Sequence, residues 1–373
     1  MNGYRPHVIL IGGFLGAGKT AAMVALARWL HDQGIRAGFI TNDQGRDLVD
    51  TRVLRSCGFA TEEIAGGCFC CRFDELVDAT RRLRAVLRPD VFVAEAVGSC
   101  TDLAATVTYP LRRLLGNDCT IAPLSVLVDP IRARRAFGLE RSETFSANIQ
   151  YIHRKQLEEA DIIVVSKCET LTLAELAEVR AVLRNEFLHA EVFAVSSRLK
   201  IGLDTWFRRI AFSEQLPRPA MALDYDRYAD GEARLGWLNA SATAVAPIAA
   251  DGNILLQRLA SDLHGRLGER GAMIAHLKMT LQAGQGLAAI NLVRDDVVPE
   301  LGIQLRDPVA AGDLVVNLRA EAAPDLLETA LRESLSAIGH APGNWRIDLV
   351  HAEAFRPGRP EPTHRDGPRP PST

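Results

Sequence analysis

Nowhere in its 373 residues does the chain run to about eighteen uninterrupted apolar side chains, so no membrane-spanning helix is expected. It also lacks an excess of one charge. Lys and Arg number 43 against 46 Asp and Glu, and a net charge of −3 gives no general argument for binding nucleic acid or an anionic membrane surface. The apolar run from His7 to Leu15 has no basic leader and no small-residue cleavage site, so it does not read as a signal peptide. No internal repeat is visible. Cysteine is scarce, at seven residues, yet three of them crowd together as Cys68, Cys70 and Cys71. With no export signal, this crowding argues for metal or redox chemistry in a reducing, cytoplasmic setting over a disulfide framework.

What is present has the rhythm of an α/β protein. His7–Gly12, Ala37–Thr41, Val91–Glu95, Ile121–Asp129, Ile162–Ser166 and Val192–Ser196 read as strands, several of them continuous Val and Ile runs suited to burial on both faces. Helical patterns such as Thr20–Gln33, Asp74–Leu87 and Leu173–Phe187 lie between them, which predicts a parallel sheet covered by helices on both faces over residues 1–211. Prolines break the rhythm after Ile210, and residues 212–235 read as a linker. Residues 236–354 then predict a smaller α+β domain with a mostly antiparallel sheet. It has a strand at Gly236–Ala242, a helix at Ile254–Leu267 and strands at His276–Leu281, Leu287–Val293 and Leu314–Leu318. A helix near Asp325–Ser336 and a final strand at Trp345–His351 complete it. Residues 355–373, rich in Pro, Arg and Gly, read as a surface-bound or disordered tail.

The sharpest motif is Gly13-Phe14-Leu15-Gly16-Ala17-Gly18-Lys19-Thr20, a phosphate-loop pattern between a strand and a helix. The glycines let consecutive N–H groups curl around a phosphate chain, and the helix N-terminus adds partial positive charge. Lys19 is expected to reach the β- and γ-phosphates, and the Thr20 hydroxyl to bind Mg²⁺. Glu95 ends an apolar strand and is the candidate carboxylate for supporting Mg²⁺, with Gly98 allowing close backbone approach to the γ-phosphate. Asp43, in the Asn42-Asp43-Gln44-Gly45 segment after another strand, either senses Mg²⁺, orients the attacking water or closes an Asx turn. Asp50 reads as a helix N-cap.

The strand ending in Ser166-Lys167-Cys168-Glu169 leads into a loop suited to a base. Guanine-binding loops usually end Asn-Lys-x-Asp. A carboxylate accepts from guanine N1–H and the 2-amino group, and the lysine stem lies along the base plane. Ser and Glu replace the usual Asn and Asp here, but the carboxylate is kept, which favours guanine over adenine. The turn at Ser196 either offers backbone to the guanine oxygen or is a plain serine turn. Cys68, Cys70 and Cys71 suit a soft or borderline ion, Zn²⁺ above all. Gly66 and Gly67 allow a tight turn, and a helix starting near Phe73 favours thiolates. Two of the three sulfurs are expected on one ion, or all three if the backbone bends, with Asp43, a histidine or water completing the set. Redox chemistry and simple packing are the alternatives. Cys57, Cys100, Cys119 and Cys168 read as scattered structural residues, and His276 and His351 as hydrogen-bonded structural histidines.

In order and spacing, Gly13–Thr20, Gly67-Cys68-Phe69-Cys70-Cys71, Glu95-Ala96-Val97-Gly98 and Ser166–Glu169 resemble the CobW-like GTPases. These are relatives of the nickel-insertion GTPases of hydrogenase and urease maturation. The resemblance covers the first two hundred residues and implies slow GTP hydrolysis coupled to binding and delivery of zinc or cobalt to a client metalloprotein. It gives Lys19 and Thr20 phosphate and Mg²⁺, Glu95 support of Mg²⁺, and Cys68, Cys70 and Cys71 the cargo metal. A nucleotide-driven homodimer is consistent with it. The histidine-rich segment of many family members is absent. Two other readings remain open: a P-loop switch or enzyme whose cysteines are structural, and an ATP-using kinase-like enzyme.

Overall fold

The computed structural model describes residues 5–43, 49–339 and 345–367. It divides into two compact units. The first comprises Met1–Gln44, Val53–Gly231 and Pro360–Thr373, and the second comprises Gly45–Arg52 and Glu232–Arg359.

The first unit is built on a parallel sheet. Its strands are β1 His7–Gly13, β2 Ala37–Asn42, β3 Thr61–Ile64, β4 Val91–Glu95, β5 Thr120–Ile121, β6 Ser125–Val128, β7 Ile162–Val165 and β8 Glu191–Ala194. Seven of them run in the order β3-β2-β4-β1-β6-β7-β8, and the short β5 also pairs with β1. The expected single strand Ile121–Asp129 is therefore two, β5 and β6, interrupted at Pro123, which has no N–H to give to a ladder. Helices α1 Lys19–Asp32, α2 Val49–Ser56, α3 Phe73–Leu87, α4 Tyr109–Leu115, α5 Pro130–Ala136, α6 Ala147–Glu159, α7 Leu173–Glu186 and α8 Leu203–Ala211 connect or follow these strands. Residues Tyr225–Arg234, inside the expected linker, form a further helix, α9.

Local sequence explains these choices. β1 is apolar on both faces and buried from Val8 onward, as a central parallel strand must be. α1 turns Ala22, Met23, Leu26, Ala27 and Leu30 inward, on the helical spacing. α7 starts at a reciprocal Thr172–Glu175 capping box. From β1 the chain passes to β2 on one side of the sheet and later to β6, β7 and β8 on the other. The carboxyl ends of β1, β4 and β6 thus meet at a topological switch point, where open parallel sheets take ligands.

The second unit has an antiparallel sheet in the order β12-β11-β10-β13-β9-β14. Its strands are β9 Leu235–Ala250, β10 Met273–Ala283, β11 Gly286–Leu292, β12 Glu300–Ile303, β13 Val309–Glu321 and β14 Arg346–Phe355. Helices α10 Gly252–Glu269 and α11 Pro324–Gly339 pack on it. Alternate residues Leu238, Ala240, Ala242 and Ala244 of β9 join Leu314, Val316 and Leu318 of β13 and the helix leucines in one apolar core. The alternate positions carry Asn239, Asn317 and Arg319. The Arg319 guanidinium donates to Asn239 Oδ1 at 2.8 Å and lies 4.0 Å from the Trp237 ring centroid. Asp50 belongs to this unit and pairs with Lys278 at 2.5 Å. It does not cap its helix: α2 begins one residue earlier, at Val49, which puts Asp50 in the first turn, where a carboxylate also suits the helix dipole.

Candidate nucleotide and metal site

β1 ends at Gly13, where φ is 125° and a Cβ would stand 2.3 Å from the Leu127 carbonyl oxygen. The chain then loops through Gly16 and Ala17 and enters α1 at Lys19, with Gly18 as a left-handed N-cap at φ 88°. The Ala17 N–H closes the loop onto Phe14 O at 3.1 Å. Lys19 is buried and folds back over this loop, its Nζ donating to Gly13 O at 2.8 Å and to Phe14 O at 3.4 Å. The next residue, Thr20, reaches across the sheet to β4: its Oγ1 is 3.3 and 3.4 Å from the two carboxylate oxygens of Glu95. Glu95 is buried and in register with Ile11 of β1. Three residues on, Gly98 packs against the phosphate loop itself. A Cβ there would lie 2.7 Å from Leu15 Cδ2 and 3.0 Å from Leu15 N, so only glycine fits. Asp43 follows β2 and donates its N–H to Ile64 O at 3.2 Å. Gln44 and Gly45, needed for the Asx-turn alternative, lie outside the described residues.

The base-loop candidates gather beside the phosphate loop. Ser166 Oγ donates to Val128 O at 3.1 Å, and it stands 3.9 Å from where a Cβ on Gly18 would be. Lys167, held at φ 46°, donates to Gly16 O at 2.7 Å and pairs with Asp129 Oδ2 at 2.9 Å. Glu169 carries a buried oxygen, Oε2, with no hydrogen-bond partner. The Ser196 hydroxyl accepts from Leu199 N–H at 2.9 Å and so closes its own turn. Asp129 has no assigned role in the sequence motifs, yet it holds this corner together. It directly follows β6, caps α5 by accepting from Ile131 N and Arg132 N at 3.1 Å each, and is 2% exposed. Burial pushes its carboxyl up, but the Lys167 and Arg132 cations prevail and hold it down at about 2.

At the neighbouring strand ends the cysteine loop is drawn into a tight turn. Gly66 takes φ 79°, and the N–H groups of Cys71 and Arg72 both donate to Cys68 O, at 3.0 and 2.9 Å. The backbone thus bends, and all three sulfurs converge instead of two. Cys68 Sγ is 2.6 Å from Cys70 Sγ and 3.4 Å from Cys71 Sγ, and the last two are 3.7 Å apart. Asn42, the last residue of β2, clamps the loop. It donates to Ile64 O at 3.0 Å and Gly67 O at 2.7 Å, and accepts from Phe69 N–H at 2.9 Å. No motif announces this clamp, because its partners lie some twenty-five positions further along the chain.

Cys100, read from the sequence as a scattered structural residue, is buried and influences the Cys68 and Cys70 thiols. The neighbouring thiols, Cys100 foremost, hold the Cys68 thiol well below its ordinary range and raise that of Cys70. The hydrogen bond to Cys68 raises Cys71 to about 11.

Residues 361–366 run over the cysteine loop as a strap. Thr363 N–H donates to Cys70 O at 2.8 Å, its hydroxyl donates to Cys71 O at 3.3 Å, and the His364 ring meets Phe73 edge-on at 5.0 Å. Arg365 pairs with buried Asp102 at 2.7 Å, and Asp366 pairs with Arg113 at 2.5 Å.

A strand, a glycine loop that caps a helix, a following lysine and threonine, and an acid at the next strand end define a P-loop nucleotide-binding protein. Residues 7–193 match the family described as "CobW/HypB/UreG, nucleotide-binding domain", and the chain belongs to that family. It is similar to the "Zinc chaperone CobW" of Pseudomonas aeruginosa, with 27% identity over 223 residues, 52% of this chain and 58% of that protein's length. The match thus spans under two thirds of the curated relative. Among solved structures, a Zn(II)-bound triple mutant of YjiA, the GTPase of E. coli, is 16% identical with a TM-score of 0.40, covering 91% of this chain and 99% of the other. HypB from Helicobacter pylori in complex with nickel is 17% identical with a TM-score of 0.39, covering 54% and 84%. Among the described residues, no helix is long and apolar enough to cross a membrane.

Proposed function

We propose that the chain binds and slowly hydrolyses GTP, and that nucleotide state governs how it holds and hands over a metal ion, zinc before cobalt, to a client metalloprotein in the cytoplasm. The observation that carries this reading is the convergence of Cys68, Cys70 and Cys71 on a loop clamped by Asn42, one residue before Asp43. A shift of the strand-end segment on nucleotide binding is transmitted to the sulfurs through one side chain.

The donor set fits a thiophilic ion. Zn–S bonds of about 2.3 Å in a tetrahedron separate sulfurs by about 3.8 Å. The 3.7 and 3.4 Å separations suit this, and the 2.6 Å pair would spread by about 1 Å on loading. The similarity to a zinc chaperone points the same way. Thr20 and Glu95 present oxygen donors, as hard Mg²⁺ requires. In the nucleotide complex Lys19 gives up Gly13 O and Phe14 O for phosphate oxygens. The loop N–H groups, including those of Gly16, Ala17 and Gly18, cradle the phosphates, while Gly98 lets the segment after β4 stay close. Asp43 orients the attacking water. The unpartnered Glu169 oxygen is the acceptor that guanine's two donors need, which favours guanine over adenine. Lys167 lies along the base, and the Ser196 turn borders it. A GTP-dependent homodimer accompanies the cycle.

The test is equilibrium Zn²⁺ binding with and without GTP and Mg²⁺, paired with hydrolysis rates. Zinc affinity should differ between the two conditions, and Cys68→Ser should remove the effect of zinc on hydrolysis while GTP still binds. Hydrolysis indifferent to zinc in both proteins would end the reading.

A further inference from the structure

The antiparallel sheet ends on two unlike edges. β12 is four residues long, as short as a safe edge strand needs to be, whereas β14 runs for ten, Arg346–Phe355. β14 pairs with β9, and among the described residues no strand lies along its other side. A bare edge of this length is a row of backbone donors and acceptors open to another strand. Its side chains select which strand. Arg346, Asp348, Val350, His351 and Glu353 are exposed, while Ile347, Leu349, Ala352 and Ala354 are half-buried and pack on the core. The alternation skips a step because β14 bulges. Leu349 faces Ala242 of β9 and His351 faces Ser241, so Val350 is the extra residue, and it is 68% exposed. On the helix side the core is left open at this edge. A groove of about 400 Å³ lies between α11 and β14, lined by Leu335, Trp345, Ile347 and Leu349 with Arg332 and Arg346.

Along the strand the polar positions alternate base and acid: Arg346, Asp348, His351, Glu353. Turned end for end, that order is its own complement. We propose that β14 pairs antiparallel with β14 of a second copy, about a two-fold axis between Leu349 and Val350, joining the two sheets into one. In that register Arg346 faces Glu353 of the second copy and Asp348 faces its His351, and symmetry forms each pair twice. Ile347 faces Ala352, half-buried side against half-buried side, and Leu349 faces Val350. The bulge allows this. In an unbroken strand Arg346 and Glu353 would point to opposite faces, and the extra residue brings both to the exposed one. A slip of one residue either way sets Arg346 opposite an alanine, so the register is specified. In the single chain Arg346 leans on Asp348 at 2.8 Å, an exposed pair worth little, so turning to Glu353 of the second copy costs little. A strand of other sequence leaves these charges unmatched, which selects for a second copy of this chain. The contact lies wholly in the antiparallel unit and needs neither nucleotide nor metal. It is therefore separate from the GTP-dependent homodimer proposed above.

The test is sedimentation equilibrium of the full chain, without nucleotide and with a chelator present. The unaltered protein should sediment as a dimer. Glu353→Arg sets arginine against arginine at two places and should raise the dimer dissociation constant about tenfold. Arg346→Glu combined with Glu353→Arg restores opposite charges and should recover most of that loss, which a merely structural role for either side chain would not produce. Circular dichroism confirms that the variants fold. A monomer at every concentration overturns the proposal and leaves the edge to a strand of other origin. A dimer that Glu353→Arg does not weaken, or that the double exchange does not restore, overturns it as well. A dimer formed only with GTP and Mg²⁺ also overturns it, and leaves the nucleotide-driven homodimer standing.

Discussion

One set of buried polar side chains in each unit takes a different place along its strands. In the parallel-sheet unit Lys19, Asn42, Glu95, Asp129 and Ser166 lie at or just beyond the carboxyl ends of strands. In the antiparallel unit Asn239, Asn317 and Arg319 lie in mid-strand and bond to one another and to ladder carbonyls. Polar groups in mid-strand are fenced by ladders on both sides and serve the sheet. At strand ends, the same chemistry adjoins loops that a ligand can reach. Position along the strand, as well as burial, distinguishes the candidate-site residues from the mid-strand set.

The largest effect should come from setting one of each kind side by side. Lys19→Ala should weaken GTP binding by about 100-fold, roughly the worth of a charge-assisted phosphate contact. Arg319→Met should lower the melting temperature and leave GTP affinity as it was. Calorimetric titration of both breaks the contrast if Arg319→Met costs as much affinity as Lys19→Ala. Next comes Asp129→Ala, which strands the Lys167 ammonium. Allowing for its partial exposure, this should cost about 2 kcal/mol in denaturant unfolding, with Asp129→Asn losing less. Asn42→Ala removes three hydrogen bonds and should cost about 1–2 kcal/mol. It should also weaken cobalt binding roughly tenfold, as loss of an orienting partner does. A structural asparagine such as Asn317 should lack the second effect.

A separate, pH-dependent effect concerns Glu159, at the end of α6. It accepts from Thr101 Oγ1 at 3.2 Å and Ala104 N at 3.0 Å, and burial pushes its carboxyl up to about 8 from an ordinary 4.5. Between these two values the folded protein holds a proton that the unfolded chain has lost. Stability should therefore fall as pH rises from 4.5 towards 8. Glu159→Gln cannot ionise, so its melting temperature should change less over that range. An equally steep slope in the variant would contradict the assignment.

Contiguity decided what the sequence revealed. The phosphate loop and the Cys68–Cys71 cluster declare themselves because their chemistry lies within a few consecutive residues. The long apolar strands declare themselves by composition. β3 and β12 escaped because four residues carry too little pattern. Asn42 and Asp129 escaped for a different reason. Each is an ordinary residue type whose partners are distant in sequence, and only the sheet order brings them together. Ser166 and Glu169 stood out from the sequence as a candidate base loop, but the contacts of Lys167 did not. It binds Asp129 and Gly16 O, so the lysine joins this segment to the glycine loop.

The strap over the sulfur loop has a thermodynamic consequence of its own. Because residues 361–366 are covalently attached, they compete for the rim of that loop at an effective concentration far above that of any free peptide. If an ion can load only when Cys71 is uncovered, the free energy of peeling the strap is subtracted from its intrinsic affinity. A partner that holds the strap aside would return that affinity without touching the metal.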